Sequence, residues 1–197
     1  MSTADQGYIA LTWFDSGARS FYTVDTPINT LADLKGLKIR TMDSPMAFEM
    51  MECFGGSATT MSISDVFTGM QSGVIDGAEN NETALTTGGH GEVAKCYSYD
   101  THTRIPDILL LRSVTWQKMT DEQKEIMKTA ADNAKETYKA AWQAAIQQSM
   151  EDAKEMGVTF NEPDLAPFQE AVQPIYERLA SESPEIWEVC EKIQNFE

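Results

Sequence analysis

Short apolar segments alternate with helical segments of about ten residues through the first half of the sequence. The apolar segments are predicted strands at residues 8–14, 20–24, 37–40, 58–61, 74–76, 93–99 and 105–112. Ser44 followed by Pro45 is typical of a helix start. Further helices are predicted from Ser62, where Asp65 completes a capping box, and from Glu79. Because parallel strands need crossover connections, this alternation predicts an α/β fold with a mostly parallel sheet.

One long helix is predicted in the second half of the sequence. Thr120 and Gln123 have the spacing of a capping box, and helix-forming residues continue without interruption to Met156. The apolar face of this segment is broad and rich in alanine, unlike the seam of large residues in a coiled coil. At 1.5 Å per residue the helix is about 54 Å long, more than one small lobe needs. Beyond it, Pro174 is expected to kink a further helix, and Pro184 to begin the last one.

The composition argues against several classes of function. The 197-residue chain has 31 acidic and 15 basic side chains, a net charge of −16, so a nucleic-acid partner is not expected. Cys53, Cys96 and Cys190 are odd in number and lack metal-ligand spacing, which predicts neither a disulfide framework nor a zinc site. No segment reaches the ~18 consecutive apolar residues of a membrane span, and residues 1–9 lack the pattern of an export signal.

Polar side chains follow two of the predicted strands. The segment GLKIR ends in Arg40, and the segment GVIDGAENN carries Asp76, Glu79 and Asn80. Loops at strand ends are where α/β folds place ligand-binding groups. Arginine keeps its charge and holds five donors in one plane, so Arg40 suits a carboxylate or phosphate ligand. An ion pair between Arg40 and one of the chain's many acids is the alternative, and the pattern alone leaves both open.

Three segments of the sequence, WFDSGARSF, LKGLKIR and QSGVIDGAEN, resemble the substrate-binding proteins of TRAP (tripartite ATP-independent periplasmic) transporters. The resemblance covers nearly the whole chain and implies a small carboxylate ligand. It implies that Arg40 forms the main salt bridge to the ligand carboxylate and that Arg19 makes a second contact. Glu79 and Asn80 are implied to line the same pocket.

The resemblance also implies how the protein works. It implies the solute-binding component of a TRAP transporter, periplasmic or anchored outside the cytoplasm, which closes two lobes over its ligand and then meets the membrane components of the transporter. Asn81 stands where many members have proline, and the resulting ENN segment is similar to the branch that binds hexuronates and related sugar acids. A C4-dicarboxylate or another organic acid is the alternative ligand. No cofactor and no metal are implied.

The fold implied is the α/β fold of periplasmic binding proteins, with the second lobe nearly complete, a long helix spanning the lobes, and the first lobe largely missing. Residues 1–16 are then a strand of the first lobe, and residues 17–105 form the second lobe with the ligand arginines. Residues 106–145 are a first-lobe remnant with the bracing helix, and residues 146–197 are C-terminal helices that pack on the second lobe. The sequence start is expected to be a truncation, and uncovered apolar strands predict self-association.

An enzyme and a non-catalytic interaction module are the competing interpretations. His90 and His102 each have an acidic residue nearby, but without an HExxH or comparable spacing they give little indication of a metal site. The sequence contains no GxSxG, P-loop or GxGxxG motif. Asp76 and Glu79 are not placed to face each other across a sugar as a glycosidase pair would. The sequence therefore predicts no catalysis, while a small enzyme acting on carboxylates and an interaction module stay open.

Overall fold

The computed structural model describes residues 6–196; residues 1–5, part of the segment without an export-signal pattern, and residue 197 lie outside the described part. The strands are β1 (Tyr8–Phe14), β2 (Ala18–Thr23), β3 (Lys38–Thr41), β4 (Ser57–Thr60), β5 (Gly77–Asn80), β6 (Cys96–Arg104), β7 (Asp107–Arg112) and β8 (Thr159–Asn161). The α-helices are α1 (Pro45–Cys53), α2 (Val66–Gln71), α3 (Thr83–Thr87), α4 (Ser113–Lys118), α5 (Asp121–Glu155), α6 (Ala166–Ala171), α7 (Gln173–Glu182) and α8 (Pro184–Gln194). Short 3-10 turns cover Leu31–Leu34, Ile63–Asp65 and His90–Glu92.

Six strands form one sheet in the order β4-β3-β5-β2-β6-β8, and β1 pairs with β7 in a separate two-stranded ribbon. β3 runs parallel to β4 and β5, and β6 runs parallel to β8. β2 is antiparallel to both of its neighbours, β5 and β6, so the prediction of a mostly parallel sheet is wrong at its centre. A helical crossover makes two consecutive strands parallel. β2 is not followed along the chain by β5 or β6, its neighbours in the sheet, so no crossover fixes its direction relative to them.

The strand that carries Glu79 and Asn80 begins later than predicted. After α2, the amides of Val74 and Ile75 both donate to the carbonyl oxygen of Gly69, at 2.9 and 3.2 Å, and so complete the end of that helix. Strand pairing starts only beyond them. The predicted strand across Val74 and Ile75 is therefore wrong. The helix predicted from Glu79 begins only at Thr83, and both polar residues lie on β5 itself.

The predicted helix ends are met in part. Ahead of α5, the Thr120 hydroxyl accepts from the amide of Gln123 at 3.2 Å, and the Gln123 side chain accepts from the amide of Thr120 at 2.9 Å. The capping box predicted at Ser62 is wrong, because its hydroxyl pairs with that of Ser64 at 2.8 Å and a 3-10 turn precedes α2. The irregularity predicted at Pro174 is a break between α6 and α7.

The long helix α5 touches both sheets. Its 35 residues span about 52 Å, close to the predicted length. Near its middle, Tyr138 packs edge-on against Phe14 of β1, with ring centroids 4.9 Å apart. Farther along, the hydroxyl of Ser149 bonds to that of Thr86 on α3 at 2.6 Å, and Ala153 is buried in a core of the larger sheet. The helix thus braces the ribbon against the six-stranded sheet.

The ribbon of β1 and β7 is less buried than the sequence suggests. Trp13 on β1 is 49% exposed, and Ile108 and Leu110 on β7 are 53% and 45% exposed. The prediction of a buried strand at residues 8–14 is wrong in this respect. The ribbon therefore exposes an apolar surface.

The larger sheet has an apolar core on each face. Successive residues of a strand point to opposite faces, so Phe21 packs with Ile39 and Phe54 while Tyr22 packs in the other cluster with Ile75. The six-stranded sheet is thus covered on both sides. Each polar residue of its central strands belongs to one of these two faces.

Candidate ligand-binding site

The register between β2 and β5 brings Arg19, Glu79 and Asn80 together. Ser20 pairs with Asn80 and Phe21 with Glu79, so Arg19 lies beside the end of β5. Nε and Nη2 of Arg19 donate to the two carboxylate oxygens of Glu79 at 2.5 and 3.0 Å. Nη1 donates to Oδ1 of Asn80 at 3.0 Å, and Nη2 also donates to the backbone carbonyl oxygen of Glu79 at 2.8 Å. Three of the four predicted ligand residues thus form one hydrogen-bonded group.

Arg19 is held mainly by the protein itself. These four bonds use four of the five N–H donors of its guanidinium, and the Arg19 and Glu79 side chains are only 14% and 4% exposed. Such a forked, charge-assisted pair fixes both partners. Within the described part of the chain, one donor of Arg19 remains for a ligand. The ligand contact implied for Arg19 and the pocket-lining role implied for Glu79 stay predictions.

A buried histidine supports this pair, and the sequence does not link it to Glu79. Nδ1 of His102 bonds to Oδ2 of Asp100 at 2.5 Å, and its Nε2 lies 3.5 Å from Oε2 of Glu79. Oδ1 of Asp100 in turn accepts from the amide of Phe21 at 2.9 Å. The His102 ring stacks on that of Phe21 with centroids 4.5 Å apart. This contact depends on β2 lying between β5 and β6, which no local motif indicates.

Neighbouring charges keep both His102 and Glu79 ionised. Burial lowers the pKa of His102, but the carboxylates of Asp100 and Glu79 outweigh it and raise that pKa to about 9. Burial raises the pKa of Glu79, but its contacts with His102 and Arg19 outweigh burial and hold the pKa below its usual range. At neutral pH, a row of alternating charges therefore runs from Asp100 to Arg19.

Stability is expected to fall as the pH rises through 9. The pKa of His102 is 6.5 in the unfolded chain and about 9 in the fold, so its stabilising contribution is complete below pH 6.5 and is lost as the pH passes 9. At 1.36 kcal/mol per pKa unit, we expect the free energy of unfolding to drop by about 3 kcal/mol between pH 6.5 and about 10. Urea unfolding at fixed protein concentration measures this drop. The His102→Gln variant should not show this drop. An equal change of the free energy of unfolding with pH in both proteins would contradict the raised pKa of His102.

Arg40 lies on the opposite face of the sheet from Glu79. It pairs with Ala78 of β5, and Ala78 pairs with Tyr22 of β2, so these three residues share one face. Glu79, the next residue along β5, points to the other side. Asn80 follows Ala78 by two positions and returns to the face of Arg40. The two predicted ligand arginines therefore approach the end of β5 from different faces.

Arg40 is nearly buried and has no carboxylate partner. It is 7% exposed, and its Nε and Nη2 donate to the carbonyl oxygen of Met61 at 3.1 and 3.0 Å. Among the ion pairs of residues 6–196, none includes Arg40. The alternative drawn from the sequence, an ion pair with one of the chain's acids, is therefore not found there. A buried cation without a counter-charge is costly, and an anionic ligand would remove that cost.

A cavity of about 460 Å³ opens on the face that Arg40 and Asn80 share. Its wall includes Ile63, Phe67, Asn80, Thr83 and His90. Small-molecule sites typically enclose ~300–1,000 Å³ and mix apolar walls with a few polar groups, as this cavity does.

The four predicted residues do not all line that cavity. Asn80 does, whereas Arg19 and Glu79 border a smaller cavity of about 70 Å³ together with Met50. Arg40 does not line the cavity itself. It donates to the carbonyl oxygen of Met61, and Ile63, two residues farther along the chain, is part of the cavity wall. The structure thus joins Arg19, Glu79 and Asn80 directly, and it places Arg40 on the face of Asn80, opposite Glu79.

His90, unlike His102, belongs to the wall of the large cavity. Its Nδ1 lies 2.8 Å from the hydroxyl of Tyr22. Burial, together with the positive charge of Arg40, lowers the pKa of His90, so the imidazole is neutral at pH 7. Across residues 6–196, no group of three or more His, Cys, Asp or Glu side chains is arranged to hold a metal ion. In the same part of the chain, no helix combines the length and the apolar composition needed to cross a membrane.

Known proteins with the same architecture define its class. The protein YiiZ of Salmonella typhimurium is 47% identical over 194 residues, which are 98% of this chain and 59% of YiiZ. A TRAP periplasmic solute-binding protein from Anaerococcus prevotii with bound D-glucuronate has a TM-score of 0.92 and 41% identity, covering 98% of this chain and 62% of that one. Another, from Sulfitobacter with bound β-D-galacturonate, has a TM-score of 0.88 and 40% identity, covering 92% and 61%.

The fold is therefore that of the TRAP periplasmic solute-binding proteins. The family described as bacterial extracellular solute-binding protein, family 7, matches residues 1–183, and the chain belongs to this family. The predicted resemblance and the predicted α/β binding-protein fold are confirmed. The chain spans about 60% of the length of the relatives that it matches.

Proposed function

We propose that this chain is the ligand-binding part of an extracytoplasmic solute-binding protein that captures a sugar acid for a TRAP transporter. The observation that carries the proposal is Arg40, 7% exposed and without a carboxylate partner in the described residues, on the face of the sheet where a cavity of about 460 Å³ opens. The D-glucuronate and β-D-galacturonate bound to the relatives from Anaerococcus prevotii and Sulfitobacter favour a hexuronate as the ligand. The partners on this proposal are the ligand and the membrane components of the transporter.

The site suggests a division of labour. The free donors of Arg40 take the ligand carboxylate in charge-assisted hydrogen bonds, and the remaining donor of Arg19 adds a second contact. Glu79 fixes Arg19, and the Asn80 amide meets a ligand hydroxyl. Of the described residues, 17–105 and 146–196, which build the six-stranded sheet, serve as the ligand lobe, and 6–16 and 106–145 belong to the other lobe. Closing two lobes over the ligand would exclude water and strengthen each of these bonds.

A calorimetric screen of the natural polypeptide, the protein as its host cell produces it, tests the proposal. D-glucuronate and D-galacturonate should bind, and neutral D-glucose, which lacks the carboxylate, should not. Tighter binding of succinate than of either uronate would favour the C4-dicarboxylate alternative. Failure of every acid in the screen to bind would overturn the proposal.

We infer that the protein binds without catalysing a reaction. Three of the candidate catalytic groups are held by the fold: Asp76 accepts from the amide of Lys38 at 2.7 Å, and His102 lies between Asp100 and Glu79. Incubation with hexuronates and dicarboxylates, with and without divalent metal, should leave each compound unchanged by NMR. Reproducible conversion that disappears in His90→Ala or His102→Ala would show the opposite.

The 197-residue chain on its own is expected to self-associate. β1 and β7 pair with each other, so each has an open outer edge in the described structure, and Trp13, Ile108 and Leu110 are about half exposed. Open strand edges and apolar surface both promote association, and a second copy offers a matching edge. Light scattering across a dilution series should therefore detect a dimer or a larger species. Lysines at Ile108 and Leu110 should shift the chain to monomer, and a wild-type monomer at low micromolar concentration would contradict the expectation.

A further inference from the structure

His90, in the wall of the large cavity, forms a buried hydrogen-bonded pair with Tyr22, which shares its face of the sheet with Arg40. His90 is 2% exposed and Tyr22 1% exposed, and Nδ1 of the imidazole lies 2.8 Å from the phenol oxygen. Gly89, with φ of 67°, turns the chain sharply just before His90. This left-handed conformation favours glycine. The loop is therefore shaped so that a polar ring enters an otherwise apolar core.

The pair sets which nitrogen of His90 carries its proton. Within the described residues, the Tyr22 hydroxyl has one hydrogen-bond partner, Nδ1 of His90. A buried O–H group without an acceptor is costly, so Tyr22 donates to Nδ1. The imidazole is neutral, because burial and the charge of Arg40 disfavour a second proton. Its one proton is therefore on Nε2, which makes that nitrogen a donor.

The donor nitrogen lies on the Gly88 side of the ring. A Cβ atom at position 88 would lie 2.9 Å from Nε2 of His90 and 2.9 Å from the carbonyl oxygen of Ala84. Both Gly88 and His90 line the cavity that Asn80 borders. Any side chain at position 88 would crowd Nε2, so glycine keeps this nitrogen free of a side chain, and the described residues offer Nε2 no hydrogen-bond partner.

We propose that His90 is a specificity-determining residue whose Nε2–H donates to a hydroxyl oxygen of the bound sugar acid. This inference rests on the proposed function and adds to it a residue that reads the sugar part of the ligand. Arg40 supplies the positive charge that a carboxylate needs, whereas a neutral imidazole suits a neutral oxygen. An acid without that hydroxyl would leave the buried donor unpaired, which lowers its affinity.

Calorimetry with deoxygenated ligands tests the proposal directly. D-glucuronate and its 2-, 3- and 4-deoxy analogues are titrated into the natural polypeptide and into His90→Phe, which keeps a planar ring but has no donor. One analogue should bind the wild type about tenfold more weakly than D-glucuronate, the effect of one lost hydrogen bond in a buried site. The same analogue and D-glucuronate should bind His90→Phe equally. In His90→Gln, whose amide nitrogen stands near the position of Nε2, the difference should reappear.

Tyr22→Phe is the matched control. It removes the bond that holds the proton on Nε2 but keeps an imidazole that can still present Nε2–H, so it should weaken the preference for the hydroxylated ligand less than His90→Phe does. Equal loss of that preference in Tyr22→Phe and His90→Phe would indicate a merely structural role and overturn the inference. If D-glucuronate binds, but the wild type and His90→Phe show the same affinity ratios between it and its deoxy analogues, this inference alone would be overturned. A wild type that binds no sugar acid would overturn the proposed function and this inference with it.

Discussion

Replacing Arg40 by alanine is expected to weaken the binding of a sugar acid by about 30-fold to several thousand-fold. Removing one partner of a buried, hydrogen-bonded charge pair costs about 2–5 kcal/mol, and each 1.4 kcal/mol is a factor of ten in affinity. Arg40 is the candidate for such a pair because it is 7% exposed and is in no ion pair of the described residues. Calorimetry on the natural polypeptide gives the change in affinity.

Two further variants interpret that result. Arg40→Lys should recover only part of the affinity, because an ammonium group cannot make the forked bond to a carboxylate. Arg104→Ala is the matched control: Arg104 is 65% exposed at its side chain and pairs with Asp15 at 3.2 Å, so its loss should leave affinity nearly unchanged. Arg40 also holds the carbonyl oxygen of Met61, so ligand-free stability is measured alongside. An affinity within threefold of the wild type for Arg40→Ala would contradict the assignment.

Local signals located most of the elements correctly. Ser44 and Pro45 mark the start of α1, and the pair Thr120 and Gln123 caps α5, because these interactions involve neighbours in the sequence. The errors arise where long-range pairing decides. The direction of β2 depends on its position between β5 and β6, and the start of β5 depends on which amides the carbonyl of Gly69 captures.

For the site, too, the sequence predicts which residues take part but not which residues they contact. The family resemblance names Arg19, Glu79 and Asn80, but it does not say that they bond to one another. That contact follows from the register of β2 with β5, in which Phe21 pairs with Glu79. His102 enters the site for a related reason, since β6 runs beside β2. The sequence can therefore predict candidate ligand-binding residues, whereas the ion pairs between them depend on how the strands pair in the sheet.

Replacing Glu79 by glutamine is expected to destabilise the fold by about 3 kcal/mol, the lower end of the 3–5 kcal/mol for breaking a buried ion pair. The Glu79 carboxylate accepts from Nε and Nη2 of Arg19 and lies 3.5 Å from Nε2 of His102. Glutamine keeps the shape of the side chain but leaves Arg19 without its counter-charge and His102 with Asp100 alone. The lower end applies because the Arg19 side chain is 14% exposed and water can solvate it in part. Urea unfolding at neutral pH and fixed protein concentration measures the loss.

An exposed ion pair of the same protein provides the control. Arg104 and Asp15 lie 3.2 Å apart with side chains 65% and 42% exposed, so Asp15→Asn should cost at most about 1 kcal/mol. A cost for Glu79→Gln no larger than for Asp15→Asn would contradict the view that the buried row of charges holds the centre of the sheet.

The pH dependence of the Glu79→Gln variant separates the two cations that Glu79 serves. Asp100 and Glu79 together raise the pKa of His102 to about 9, so without the Glu79 charge the folded-state pKa must fall towards 6.5. Because His102 stabilises the fold only up to that pKa, the decline of stability should begin at a lower pH and be smaller than in the wild type. The cost that remains above about pH 10, where His102 is neutral in both proteins, then belongs to the pairing of Glu79 with Arg19.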